Sequence, residues 1–121
     1  MLILPNRSPV RYDLCTDTVT VYHKDGETFS TGVYTAFFDN KKNLTIDKTG
    51  LKDGNSFLLV IPGNHQMVFP GDKVLRGTGQ PITTNDQWRK MIPSTVQDLV
   101  VVQTVDVKYW NGQIIHVEAG G

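Results

Sequence analysis

A chain of 121 residues that is 39% apolar and 20% charged has the size and balance of one globular domain, neither a disordered chain nor a membrane bundle. Twelve basic and twelve acidic side chains cancel, which argues against a dedicated nucleic-acid binder or an anionic-membrane clamp, since both draw affinity from surplus Lys and Arg. The longest apolar run, residues 57–61, is far short of the roughly 20 residues that span a bilayer. The stretch Met1 to Leu4 ends at Pro5 and carries no basic n-region, so no signal peptide is expected, and the single Cys15 fits a reducing compartment.

Residue choice favours strands. Val, Ile and Thr number 14, 7 and 13, whereas Ala and Glu occur twice each; branching at Cβ stiffens χ1 and suits the pleated chain. Residues 1–17 hold Pro5 and Pro9 without a sustained period and read as an extended arm, lying on the domain or reaching a neighbour. The rest, residues 18–121, reads as a single β domain.

Thr18-Val19-Thr20-Val21-Tyr22 alternates, with the valines on one face. Asp25-Gly26 marks a tight turn and residues 29–38 a returning strand. Residues 39–43 form a polar connection, 44–47 a short half-buried strand and 48–55 a loop. Residues 56–61 read as a strand covered on both faces, ended by Pro62-Gly63-Asn64. After an exposed stretch at 65–69, Pro70-Gly71-Asp72 turns into a strand at 73–76. Gly77, Gly79 and Pro81 make the most flexible connection.

Thr84-Asn85-Asp86-Gln87 has the form of a capping box and predicts a short helix over about 85–91, stopped before Pro93. Residues 99–109 form the strongest strand; Gln103 interrupts one phase and Val100 and Val102 occupy the other, which implies a bulge or two covered faces. Asn111-Gly112 predicts a type I′ turn into a last antiparallel strand at 114–118. The expectation is a mainly β chain: a small antiparallel β-barrel, SH3-like, of about six strands with one short helix.

Chemical motifs are sparse. His23, His65 and His116 lie far apart with no metal-ligand spacing, and read as surface or strand-end histidines. Ser8, Ser30, Ser56 and Ser94 lack a nucleophile elbow, and Cys15 has no local base. Asp47, Asp53, Asp72, Asp86 and Asp106 fall mostly in turns, where a carboxylate bonds nearby backbone N–H groups. Gly77-Thr78-Gly79 matches neither a P-loop nor a dinucleotide fingerprint, and residues 47–55 lack the oxygen ligands of a calcium loop. The expectation is therefore a non-enzyme, with no catalytic residue, cofactor or metal.

Two groups of aromatic and basic residues, one around Tyr34, Phe37, Phe38, Lys41 and Lys42, the other Lys108, Tyr109 and Trp110, could stack single-stranded nucleic acid. Asp39 and Asp106 beside them oppose that use. Surplus apolar residues, Leu2, Ile3 and Leu4 in the arm and Met67, Val68 and Phe69 beside His65, suggest contact surface or a fold-back onto the barrel.

Several segments, taken in order, resemble a family. They are Asp17-Thr18-Val19-Thr20-Val21-Tyr22, Gly32-Val33-Tyr34, Lys48-Thr49-Gly50-Leu51-Lys52-Asp53-Gly54-Asn55-Ser56, Val60-Ile61-Pro62, Pro70-Gly71-Asp72-Lys73-Val74-Leu75-Arg76-Gly77 and His116-Val117-Glu118-Ala119-Gly120-Gly121. Together they resemble small proteins encoded among the head and tail genes of phages and prophages of Gram-positive bacteria. The arm and a compact loop at 63–70 depart from that pattern.

The resemblance implies a minor capsid or head-tail connector protein: a stopper-like virion part, made in the host cytoplasm, that forms a homo-oligomeric ring beneath the portal. Its partners would be the portal or adaptor protein and tail proteins. On this expectation Leu2, Ile3, Leu4, His65, Met67, Val68 and Phe69 carry contacts, and Gly77, Thr78, Gly79 and Gln80 form a mobile channel loop. A tail-terminator or tail-completion protein, and a small barrel binding single-stranded nucleic acid or a peptide, stay open as alternatives.

Overall fold

The computed structural model describes residues 11–40 and 57–121. They form seven strands and one short helix: β1 (Asp17–Asp25), β2 (Thr28–Asn40), β3 (Phe57–Pro62), β4 (Lys73–Arg76), α1 (Asn85–Lys90), β5 (Leu99–Val101), β6 (Thr104–Trp110) and β7 (Gln113–Gly120). All pairings are antiparallel, in the spatial order β5-β4-β1-β2-β3-β7-β6. The two outermost strands, β5 and β6, are consecutive in the chain, so the sheet curls into a half-barrel. The strand expected at 44–47 lies outside the described residues.

Two features produce the curl. β2 is long enough to serve two partners: Thr28 to Ala36 pair with β1, and Phe37 to Asn40 pair with β3. The strand predicted over 99–109, with its irregularity at Gln103, is two strands separated at Val102 and Gln103. Val102 still exchanges backbone bonds with Gly71 and Asp72 (2.7 and 2.9 Å), whereas the Gln103 N–H donates to Gly120 O at 2.9 Å. One residue step thus carries the chain from the β4 side to the β7 side. Gln103, which broke the apolar phase in the sequence, sits at that corner.

The concave face holds the core. Val19, Val21, Ala36, Phe38, Leu59, Ile61, Val74, Val117 and Ala119 are buried together there, each in the phase that strand alternation assigns to one side. β3 differs from its prediction: Leu59 is fully buried, while its neighbour Leu58 is 41% exposed, so this strand is buried on one face. β1 departs the other way. Thr20 and Tyr22, on the phase opposite Val19 and Val21, are also buried.

What covers them is the segment that follows β4. The Thr20 hydroxyl donates to Gly77 O (2.7 Å) and accepts from the Gly79 N–H (2.9 Å), the Tyr22 hydroxyl donates to Gln80 O (3.0 Å), and the Gly77 N–H donates to Thr18 O (2.6 Å). Residues 77–80 are therefore a strap bonded across β1, in place of the mobile channel loop expected from their glycines. A Cβ at Gly79 would collide with the Tyr22 hydroxyl and stand 2.9 Å from Leu75 Cδ2, which accounts for glycine at the closest approach.

The helix is capped as predicted: Thr84 accepts from the Gln87 N–H while the Gln87 side chain accepts from the Thr84 N–H. Buried Lys73 holds its far end, donating to Trp88 O and Met91 O at 2.7 Å each beneath the Trp88 ring. Both predicted turns are present. Asn111 and Gly112 have positive φ (54° and 76°), and Gly26 turns β1 into β2 at φ 63°.

Candidate functional site: an apolar depression on the convex face

The strap and α1 cover the convex side of β1 and β4. On the convex side of β2, β3 and β7, register aligns Phe37 with Val60 and Val60 with Glu118, with Leu58 one pair further along the same phase. Residues 11–16 cross this face. Together they enclose a depression of about 370 Å³, lined by Arg11, Tyr12, Leu14, Cys15, Phe37, Leu58, Val60, His116 and Glu118. Leu14 stands over it 73% exposed. Leu58, 41% exposed, joins Leu14 at its rim.

A polar chain pins the crossing segment. His116 is buried, with its Nε2 3.0 Å from Glu118 Oε2 and its Nδ1 2.8 Å from the Tyr12 hydroxyl. A carboxylate only accepts, so Nε2 carries a hydrogen, and in the neutral ring Nδ1 accepts from Tyr12 O–H. Burial raises the Tyr12 pKa, with Cys15 and Glu118 adding to the shift, so the hydroxyl keeps its proton. Burial also raises the Cys15 thiol, a backbone N–H from Phe37 opposing and Asp17 adding; a protonated thiol is a poor nucleophile. The chain Tyr12–His116–Glu118 is a fastening.

Tyr12→Phe should remove one hydrogen bond worth about 1 kcal/mol. The expected result is faster amide hydrogen exchange confined to residues 11–16, with strand protection unchanged; uniform loss of protection would show that this contact supports the whole fold.

The predicted site residues are scattered. Leu2, Ile3 and Leu4 lie outside the described residues. His65 is exposed, its Nδ1 3.1 Å from Asn64 Oδ1. Met67 and Val68 belong to the core, a correction to their reading as contact surface: the loop folds back so that both side chains are buried in the same apolar cluster as the strands. Phe69 keeps 39% of its surface and lies against the His23 ring, 5.3 Å between centroids.

Asp72 binds the same two residues. It is almost fully buried, accepting from the Phe69 N–H at 2.8 Å and lying 2.6 Å from His23 Nδ1. The local turn bond was expected; the histidine partner, 49 positions away, was not. His23 is a strand-end histidine as expected, though its partner is a carboxylate, whereas His116 is buried within β7 rather than on the surface or at a strand end.

Burial nevertheless leaves the Asp72 pKa above its ordinary value, outweighing the His23 and Phe69 contacts that lower it. A carboxyl raised on folding contributes stability that is full below about pH 3.8 and is lost as pH rises through its folded pKa. Asp72→Asn should abolish that downward step in a stability-versus-pH series from pH 3 to neutrality. A wild-type curve rising across that window, with the slope change tracking Asp72, would contradict the burial argument.

Among the described residues no group of three or more His, Cys, Asp or Glu could hold a metal ion, and no helix is long and apolar enough to cross a membrane. Comparison with protein-family models, with curated proteins and with solved structures finds no match for the chain. The depression itself was missed by sequence reasoning. His116 and Glu118 share a face by simple alternation, but Tyr12 lies over a hundred residues from them, in a stretch without periodicity.

Proposed function

We propose that this chain is a structural virion component of a phage or prophage, a head-tail connector of the stopper kind that works in several copies beneath the portal. The observation that carries the reading is the ordered succession of six segments from Asp17 to Gly121 that resembles such proteins. The fold is compatible with it. A curled, cross-bonded sheet is stiff, its net charge is zero, and its exposed apolar residues Leu14, Leu58 and Phe69 are suited to contacts between parts of a particle.

Shape and adhesion are all this role asks of the chain. The test is a deletion of residues 1–10 in the producing phage, which leaves the Tyr12 fastening intact. The expected phenotype is DNA-filled heads and separate tails, with the purified truncated chain folded by circular dichroism. Normal particle yield would remove the proposal.

A second reading draws on one observation. Tyr109 is 62% exposed and Trp110 sits beside it at the β6–β7 hairpin, a platform on which unpaired bases could stack. Against it, Lys108 is spent on Asp106 at 2.8 Å, and no cationic surplus exists to hold phosphates. Titration with a labelled oligonucleotide at low and moderate salt separates the two: tight, salt-sensitive binding by the monomer favours the nucleic-acid module.

A further inference from the structure

We propose that the outer edge of β6 is a dimerisation surface, on which β6 of a second copy of this chain adds antiparallel about a two-fold axis at Val107. The inference goes beyond the assembly reading above and does not depend on it.

The sheet has two outer strands, and they are unlike. β5 offers three residues, two of them buried, whereas β6 runs for seven from Thr104 to Trp110 and, among the described residues, pairs with β7 along one side only. A row of backbone donors and acceptors of that length is a template for another strand. The usual obstacles are missing. β6 contains no proline, and its one irregular step falls on its neighbour: Lys108 pairs with His116 and Tyr109 with Ile114, so Ile115 of β7 is the extra residue and β6 stays unbroken. The phase of Val105, Val107 and Tyr109 carries no charge.

Lysine is a common guard of such edges. Here Lys108 is neutralised by Asp106, two positions earlier on the same face, with 2.8 Å between Nζ and Oδ2. The two charges are self-complementary. In an antiparallel pair centred on Val107, Asp106 lies opposite Lys108 of the second copy and Lys108 opposite its Asp106, so four charges alternate in sign across the seam. On the other face Val107 meets its own counterpart, and Val105 meets Tyr109 of the second copy, a β-branched side chain against an aromatic ring. That contact covers a ring which the single chain leaves open to water.

The same charges fix the register. Two-fold symmetry places the centre of the pair on a residue, and the registers on either side of Val107 centre on Asp106 or Lys108, each of which then faces its own like charge. Of these three, the Val107 register alone sets opposite charges together. The contact is isologous and uses the single long edge of each copy, so association stops at two.

Analytical ultracentrifugation of the full chain over a concentration series reads the association. The wild-type chain is expected to pass from monomer to dimer as concentration rises, with amide exchange slowing in β6 and unchanged in β5. Asp106→Lys and Lys108→Asp each set like charges opposite one another. Either variant alone should be a monomer at concentrations where the wild-type chain is dimeric, with its fold retained by circular dichroism, since both side chains are solvent-accessible. Mixed in equal amounts, the two variants should recover the dimer, because the basic strand of one then faces the acidic strand of the other. A wild-type chain that is monomeric throughout, a dimer that survives in either variant alone, or a mixture of folded variants that stays monomeric overturns the proposal. So does a wild-type dimer whose β6 amides exchange as fast as those of the monomer.

Discussion

Leu59→Ala is expected to lower stability by about 2 to 5 kcal/mol, whereas Leu58→Ala, one position away, should stay within about 0.5 kcal/mol of the parent. Both residues sit on β3, but Leu59 is fully buried in the concave core and Leu58 is 41% exposed on the convex face. Truncation of Leu59 removes its apolar contact with the core and leaves a cavity that the cross-bonded sheet cannot collapse. For a domain of this size about 3 kcal/mol lowers the melting temperature by about 10 °C. The prediction for Leu58 is complementary: a chain as well folded as the parent. Equal melting losses for the two would mean that the convex face is covered within the monomer.

Thr20→Val is the second large effect. The substitution keeps shape and β propensity but removes a hydroxyl that serves both Gly77 O and the Gly79 N–H from a wholly buried position. Two backbone groups then lose their partner, at about 1 to 3 kcal/mol each. The strap also carries the bond from Tyr22 to Gln80 O, so its release should expose Tyr22. Urea melts should show the loss, and hydrogen exchange should quicken first at residues 77–80. A melting temperature within a degree of the parent would mean that the strap contributes nothing to the fold.

The strand system was legible because each of these strands satisfies a local rule. Val19 and Val21 alternate with Thr18 and Thr20, Asn111-Gly112 can take two positive φ values, and Thr84 with Gln87 forms its cap within four residues. None of those needs a distant partner. The failures share a different property. Thr20 and Tyr22 look like solvent-facing strand positions until a strap 57 or more residues later in the chain lies on them.

Gly77 and Gly79 look flexible because glycine is permissive. Here Gly77 takes a positive φ of 91°, and the missing side chain of Gly79 allows close packing against Tyr22. Met67 and Val68 look surplus because a loop folded back into the core has no periodic signature. Gln103 signals an irregularity among the valines of 99–109, but the full break at Val102 and Gln103 follows from closure of the sheet, a global demand. The depression was illegible for the same reason: it needs Tyr12, Leu58 and His116 on three separate elements.

These particulars yield a stiff curled sheet with one convex half covered by its own strap and the other half carrying bare leucines. We propose that such a body functions as a repeated part of a viral neck. The most direct measurement is electron cryo-microscopy of purified particles made by the producing phage, joined to mass spectrometry of their proteins. The account predicts the chain in several copies per particle, as a ring of density between portal and tail into which the half-barrel fits. Complete, infectious particles containing none of it would contradict the account.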